Sequence, residues 1–253
     1  MKYHISTIQK AIDILNLFEN HDKLYFTQIQ EFLKLNKSTL FRVLYNLENN
    51  RYLSKDEHGR YELGIRILIL GNRISQANKI KKVASSYLEE LSDKINLTVQ
   101  MGILDGLDVV IIDKHDPPNT IKMVSHIGAV VPAHCTGQGK TMLAYSSKEK
   151  VEKVINTHGL KRYTPHTITT VNDLFDELET IKKRGYAIDD SEHEKHIRCV
   201  AVPILDENNE LQAALSITGL IMDFPTRKEI EKYAKLLTET RDKIRKKIGY
   251  LKS

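Results

Sequence analysis

The segment from residue 37 to residue 49, KSTLFRVLYNLEN, constrains the fold of this chain more than any other stretch. Its apolar residues recur at intervals of three and four, which is the period of an α-helix with one buried face. That face consists of Leu40, Val43, Leu44 and Leu47. The opposite face, where a solvated helix usually carries glutamate and lysine, consists of Ser38, Phe41, Arg42 and Tyr45.

The residue types on this outer face suit DNA. Arginine can fork onto guanine, a hydroxyl can bond phosphate or a base edge, and phenylalanine can press on a thymine methyl group. Lys37 and Thr39 add a charge and a second hydroxyl at the start of the helix. The alternative is a surface helix in an ordinary three-helix bundle, and composition alone leaves the two interpretations even.

Two helices are predicted before this segment and a hairpin after it. Residues 5–19 show helical spacing of Ile8, Ala11, Ile12, Leu15 and Phe18. A second helix is expected to begin at Thr27, with Gln30 completing a capping box, and to bury Ile29, Phe32 and Leu33. The runs RYLS and RYEL flank a turn with Gly59, and Arg60 lies at its tip. This order predicts a winged helix-turn-helix whose third helix enters a major groove.

Beyond residue 78 the pattern changes to hairpins mixed with helices. A helix over 79–95 precedes the strand-like runs LTVQMGIL, LDVVIID and TIKMVS, and later runs are RCVAVPIL and LQAALSITG. Further helices are expected to start at Ser146, Thr170 and Thr226, each with a capping box. The pattern predicts an α+β fold with an antiparallel sheet. We therefore assign residues 1–64 to DNA binding, 65–78 to an apolar linker and 79–253 to a second domain.

Whole-chain properties exclude several classes of protein. The 253 residues, 41% of them apolar, suffice for two modest domains. No run of about 18 apolar residues predicts a membrane span, and the N-terminus lacks the pattern of a secretory signal. The two cysteines, Cys135 and Cys199, do not make a disulfide framework. We expect free thiols and a cytoplasmic location.

The segment VVPAHCTGQGKTMLAYS, residues 130–146, raises the question of nucleotide binding, because it contains Gly-Lys-Thr. A phosphate-binding loop needs a glycine five residues before the final Gly-Lys-Thr, and His134 stands there. We instead predict a tight turn in which Thr136 caps a helix and Lys140 points outward. Backbone N–H groups at the start of such a helix bind anions without a nucleotide loop.

The remaining histidines, cysteines and acidic residues do not form a convincing catalytic or metal site. His193 and His196 are three residues apart and could lie on one side of a metal, but no second ligand pair has a recognisable spacing. A solvated polar loop is the favoured interpretation. Cys135 is adjacent to His134, which is poor geometry for a nucleophile and its base, and Cys199 lies in an apolar run. We predict no cofactor, no metal and no enzymatic turnover.

Taken in order, these motifs resemble the IclR family of bacterial transcription regulators. The segment STLFRVLYNLENNRYLSKDEHGRYELG is similar to the DNA-binding half of the family. Three later segments are similar to its second half, namely GAVVPAHCTGQGKTMLA, RGYAIDDSEHEKHIRCVAVPI and LQAALSITG. Thr141 replaces the family's alanine, and His196 stands where the family often has glycine. The resemblance implies a linker helix that packs in a dimer, followed by a GAF-like effector domain.

The resemblance also implies a set of site residues and partners. The outer helix face and the wing themselves predict the DNA-binding residues, which are Lys37, Ser38, Thr39, Phe41, Arg42, Tyr45 and Arg60. The effector is expected to contact Met123, Val131, Gly137, Gln138, Asp189, Cys199, Ser216 and Thr218. A small hydroxylated or oxo carboxylic acid suits these groups better than a nucleotide.

The favoured function is a regulator, a repressor in preference to an activator, that binds double-stranded operator DNA as a homodimer or a dimer of dimers. The alternative is a small-molecule enzyme or metabolite sensor with an accessory helix-turn-helix.

Overall fold

The computed structural model describes residues 5–71, 75–118 and 125–249. The chain divides into two compact units, Met1–Asn78 and Lys79–Ser253. Among the helices that the structure describes, none has the length and apolar character that crossing a membrane requires.

The first unit has the order of a winged helix-turn-helix. Its helices are α1 (Ser6–Asn16), α2 (Phe26–Leu33) and α3 (Lys37–Asn49), with a 3-10 turn at Leu17–Glu19. The side chain of Asn36 caps α3 by accepting a hydrogen bond from the Thr39 N–H. Strands β1 (Leu53–Lys55) and β2 (Tyr61–Leu63) pair antiparallel to form the wing. Gly59 lies between them with a φ of +74°, where glycine is favoured. The predicted fold of this unit is confirmed.

The predicted apolar stripe of α3 is buried, but the predicted inner faces of α1 and α2 are partly wrong. Ile8 and Ile12 are 55% and 44% exposed, and Ile14 is the buried residue of α1. Phe32 of α2 is 51% exposed and its ring stacks on His21. Both helices carry more apolar residues than one face can hold, so periodicity alone did not select the face that packs.

The start of α2 also differs from the expected capping box. The helix begins at Phe26, and the amide oxygen of Gln28, not Gln30, accepts the hydrogen bond from the Tyr25 N–H.

A fourth helix, α4 (Ile65–Gly71), buries none of its residues. Its exposed apolar side chains are Ile65, Leu68, Ile69 and Leu70.

The second unit is an antiparallel sheet with helices, which confirms the α+β prediction. The sheet order is β5-β4-β3-β8-β7-β6, and each neighbouring pair is antiparallel. The strands are β3 (Thr98–Asp105), β4 (Asp108–His115), β5 (Val130–Val131), β6 (Ala187–Asp190), β7 (Ile197–Leu205) and β8 (Leu211–Leu220). The helices are α5 (Ser75–Ile95), α6 (Gly137–Ala144), α7 (Lys148–His158), α8 (Val171–Arg184) and α9 (Arg227–Ile248).

Several boundaries follow the predicted capping residues. Thr170 caps α8 by accepting a hydrogen bond from the Asp173 N–H, and α8 ends before Gly185 in the left-handed region. For α7 the cap is Ser147, not Ser146, whose hydroxyl donates to the carbonyl of Met142. The predicted strand TIKMVS lies mostly outside the described residues. The short strands β5 and β6 were not predicted as separate strands.

Helix α6 is surrounded by other elements of this unit. It packs on β7 and β8 on one side and on α8 on another. Its apolar residues Met142 and Leu143 belong to a core that includes Leu174, Leu178 and Ile181 of α8. All eight residues of α6 are buried, and this packing places the start of the helix against the sheet.

Candidate functional site

The outer face of α3 is exposed. Phe41 and Tyr45 are exposed, and their rings stack with centroids 6.4 Å apart. Arg42 is also exposed and forms no ion pair with any residue that the structure describes. Ser38 is exposed at the first turn, where its hydroxyl donates to Asn36 Oδ1 at 3.0 Å. The face therefore offers a free guanidinium and aromatic edges to a partner.

Arg60 on the wing is in a different situation. Its Nη2 lies 2.8 Å from Asp56 Oδ2, and its Nε donates to the same oxygen at 2.9 Å. The Nζ atom of Lys23 also lies 3.2 Å from that oxygen. The guanidinium of Arg60 is already partnered within the wing, whereas that of Arg42 is not.

In the second unit, seven of the eight residues expected to contact an effector line one cavity of about 80 Å³. They are Val131, Gly137, Gln138, Asp189, Cys199, Ser216 and Thr218. The eighth, Met123, lies outside the described residues.

Strand register explains part of this convergence. Asp189 pairs with Cys199, and Cys199 pairs with Thr218, so the three residues form a row across β6, β7 and β8. Ser216 lies two residues from Thr218, on the same face of β8.

The start of α6 forms one wall of the cavity. Thr136 caps the helix as predicted, because its Oγ1 accepts a hydrogen bond from the Gly139 N–H at 3.1 Å. Within the described part of the chain, the N–H groups of Gly137 and Gln138 have no hydrogen-bond partner. A Cβ on Gly137 would lie 2.8 Å from Cys199 Sγ, so only glycine allows this close approach. The helix start therefore presents two free donors at a tightly packed point.

The prediction that Lys140 points outward is wrong. Lys140 is only 1% exposed, and its Nζ atom pairs closely with Glu192 Oε1. The same atom lies 3.3 Å from Glu177 Oε1, which in turn lies 2.9 Å from Arg184 Nη2. Because α6 has no face in solvent, its lysine can be accommodated only by a buried ion-pair network.

Several lining residues were missed by sequence reasoning, namely Gln100, Ile111, Ser125, Thr136, His193, Glu194 and Ile197. Gln100 Nε2 donates to Ser125 Oγ at 2.7 Å, and Gln138 Nε2 donates to Ser216 Oγ at 3.0 Å. Gln100 lies directly opposite Ser216 in the β3–β8 pair. The sequence signal that could have identified Gln100 as a site residue is its position as a glutamine within the mostly apolar run LTVQMGIL.

Burial dominates the electrostatics of the cavity. It raises the pKa of Asp189 to about 7, and the Glu192 carboxylate acts in the same direction. Asp189 Oδ1 accepts a hydrogen bond from the Glu192 N–H at 2.8 Å. Burial likewise raises the pKa of Cys199 to about 12 and raises that of Cys135. Both cysteines are free, as predicted, and both thiols are protonated near neutral pH.

The two histidines considered as metal ligands occupy different environments. His193 lines the cavity, and its ring meets Tyr163 edge-on at 5.1 Å. His196 has a φ of +65°, which explains why glycine suits this position. Among the residues that the structure describes, no group of three or more His, Cys, Asp or Glu side chains could hold a metal ion.

A winged helix-turn-helix with a free polar face, joined to an α+β unit that contains a cavity, defines a class of DNA-binding transcription regulators. Residues 7–57 match the IclR helix-turn-helix domain, and residues 73–246 match the C-terminal domain of the bacterial transcriptional regulator IclR. The chain belongs to the IclR family of transcriptional regulators.

Two relatives from Escherichia coli strain K12 are similar over most of their length. The HTH-type transcriptional regulator XynR is 32% identical over 218 residues, which cover 85% of this chain and 86% of XynR. The transcriptional repressor IclR is 30% identical over 221 residues, which cover 86% of this chain and 81% of the repressor. These relatives are regulators and not enzymes, so the enzyme alternative is set aside.

Two crystal structures share the fold. The IclR of Thermotoga maritima has a TM-score of 0.78 at 32% identity, and the match covers 98% of this chain and all of that one. An IclR homologue from Microbacterium hydrocarbonoxydans, complexed with 4-hydroxybenzoate, has a TM-score of 0.87 and 22% identity over 96% and 99% of the two chains.

Proposed function

We propose that this regulator is a repressor whose operator affinity is controlled by a small hydroxylated or oxo carboxylic acid bound in the cavity of the second unit. The observation that carries the proposal is the assembly of the cavity from segments far apart in sequence. Backbone N–H groups, hydroxyls, amides and a carboxyl group converge there from α6 and from strands β3, β6 and β8. A small concave site with a few convergent polar groups is typical of small-molecule binding.

The chemistry of the cavity favours an acid over a nucleotide. The free N–H groups of Gly137 and Gln138, at the positive end of α6, would take the carboxylate of the ligand. Ser216, Thr218 and Asp189 would bond its hydroxyl or oxo groups, and Val131 would pack on its apolar side. The 4-hydroxybenzoate bound to the Microbacterium homologue is a hydroxylated carboxylate, which supports this class of ligand.

The proposed DNA-binding domain is residues 1–64, with 65–78 as linker and 79–253 as effector domain. Its partner would be a double-stranded operator, contacted by Lys37, Ser38, Thr39, Phe41, Arg42, Tyr45 and Arg60. Arg42 is proposed to contact bases because its guanidinium is free. Arg60 would contact a phosphate of the DNA backbone, which would compete with Asp56 for its guanidinium group.

A homodimer is part of the proposal, because one recognition helix covers too few base pairs for useful specificity. Helix α4 exposes four large apolar side chains, as expected of a surface that a second copy covers. We expect a dimer, or a dimer of dimers, in the cytoplasm. The molar mass measured by light scattering at micromolar concentration should exceed the monomer mass of 29.1 kDa. A measured mass equal to that of the monomer would contradict this part of the proposal.

The ligand class is tested by thermal-shift screening of oxo acids, sugar acids, hydroxybenzoates and nucleotides. An acid at about 100 times its dissociation constant should stabilise the folded chain by roughly 2.7 kcal/mol. Gly137→Val should abolish the shift, because its side chain would collide with Cys199, and Ser216→Ala should reduce it. A shift by ATP and by no acid, or acid binding unchanged in both variants, would refute the proposed ligand class.

A further inference from the structure

The cavity contains a buried carboxyl group with no cation beside it. Asp189 is only 5% exposed and lies in the row that crosses β6, β7 and β8. None of the described residues that line the cavity is a lysine or an arginine. The other ionisable groups in the lining, apart from the Cys199 thiol, are His193 and Glu194, and Glu194 is exposed to solvent.

The nearby buried cation is already neutralised. Lys140 Nζ contacts carboxylate oxygens of both Glu192 and Glu177, and Glu177 also pairs with Arg184. Burial raises the pKa of Glu192, while its contact with Lys140 favours the ionised form. With Glu177 and Glu192 ionised, two positive and two negative groups make this network neutral as a whole. The network therefore holds no spare positive charge for Asp189.

The other charged groups packed around Asp189 do not supply a free positive charge either. On β7, Arg198 pairs with Asp190, with Nη2 and Oδ1 2.6 Å apart. Burial lowers the pKa of His193, in the loop between β6 and β7, and that of His134, before α6, so both rings are neutral near pH 7. The Cys135 and Cys199 thiols are uncharged.

We infer that an acid effector enters this cavity together with one proton, which is held on the carboxyl group of Asp189. The inference rests on the proposed function, since it concerns an anionic ligand in the same cavity. A ligand carboxylate and an ionised Asp189 would place two negative charges in a small space of low dielectric, where their repulsion is strong. One added proton removes the repulsion.

The proton also improves the hydrogen bonding. A neutral Asp189 donates one O–H to an oxygen of the ligand, while its other oxygen still accepts from the Glu192 N–H. Because burial already raises the pKa of this carboxyl to about 7, the proton is available near neutrality. The affinity for an acid effector is then a function of pH, and acidification strengthens the response of the regulator.

The direct test is isothermal titration calorimetry of the full-length chain with 4-hydroxybenzoate and with 2-oxobutyrate from about pH 6 to about pH 9. Each titration is run in two buffers of different ionisation enthalpy, so that proton uptake is measured. We expect uptake to rise from near zero at low pH to about one proton per acid at high pH. Above about pH 7, the dissociation constant should rise about tenfold per pH unit.

Variants locate the proton. Asp189→Asn, which cannot titrate, should abolish proton uptake, whereas Glu194→Gln and His193→Gln should keep it. Acid binding with no proton uptake in the unsubstituted chain, or uptake that survives Asp189→Asn, overturns the inference and leaves the proposed function standing. If neither these probes nor any acid of the screening panel binds, the proposed ligand class fails, and this inference fails with it.

A second measurement needs no ligand. Asp189 has a pKa in the folded chain above its ordinary value, so its folded form holds the proton between about pH 4 and about pH 7. Stability conferred by that proton is therefore lost as the pH rises through this window. The urea midpoint of Asp189→Asn relative to the unsubstituted chain should rise across the window and then level off. A difference that is constant with pH would show that Asp189 ionises normally in the ligand-free chain and would overturn the claim that its proton is available near neutrality, whereas the calorimetric test decides the proton uptake itself.

Discussion

Helices α3 and α6 are both capped by a side-chain oxygen, from Asn36 and Thr136, yet they present their functional groups in opposite ways. Helix α3 buries one face and turns side chains outward, so its chemistry is that of Arg42 and its neighbours. Helix α6 is buried on every face, so its chemistry is that of the backbone N–H groups at its start. Periodicity identified the buried stripe of α3, which has one solvent face, but it gives no such guide to a helix that is enclosed on every side.

The largest expected effect tests whether α6 is enclosed. Lys140→Met should destabilise the second unit by about 3–5 kcal/mol, because it leaves Glu192 as a buried charge without its partner. Urea unfolding followed by circular dichroism measures the loss. The matched control, Lys140→Met combined with Glu192→Gln, should recover most of it. A loss under about 1 kcal/mol would mean that the lysine lies in solvent and that the contrast with α3 is false.

The next effect concerns the outward face of α3. Arg42→Ala should weaken operator binding by about 1–3 kcal/mol without changing stability, because the side chain points away from the buried stripe. Arg42→Lys keeps the charge but not the planar fork, so it should restore only the part of binding that is insensitive to sequence. Gel-shift titrations on a specific and a scrambled DNA fragment separate sequence-specific binding from binding that is insensitive to sequence. Unchanged affinity in Arg42→Ala would remove this residue from base recognition.

The smallest effect sharpens the role of backbone geometry in the second unit. His196→Gly should stabilise the chain by about 1 kcal/mol, because the native φ of +65° is strained for a residue with a Cβ. His196→Ala keeps the Cβ and should not give this gain. Equal urea midpoints for the two variants would show that no strain is stored at this turn.

The sequence predicted most of the fold and a definable part of the site. Long periodic segments and capping residues such as Thr136 and Thr170 located helices well, because those signals are local. The packing faces of α1 and α2 were misjudged at Ile8, Ile12 and Phe32, since several apolar faces compete and only tertiary packing selects one.

The cavity shows the same limit. Gln100 meets Ser216 only through the register of β3 with β8, and Ser125 joins them through a side-chain hydrogen bond. No local pattern encodes either contact. The burial of Lys140 was missed for the related reason that its partners, Glu177 and Glu192, lie far along the chain.

The central claim is that an acid in the cavity of the second unit controls the binding of DNA by the first. This claim is tested by fluorescence anisotropy of a labelled DNA fragment from the region upstream of the gene that encodes this protein. Binding is measured with and without the acid that gives the largest thermal shift. At saturating acid, the affinity for the fragment should fall about tenfold or more, within the usual range of allosteric coupling. Gly137→Val should bind the fragment equally well but ignore the acid. Affinity unchanged by the acid, or an equal response in Gly137→Val, would contradict the claim.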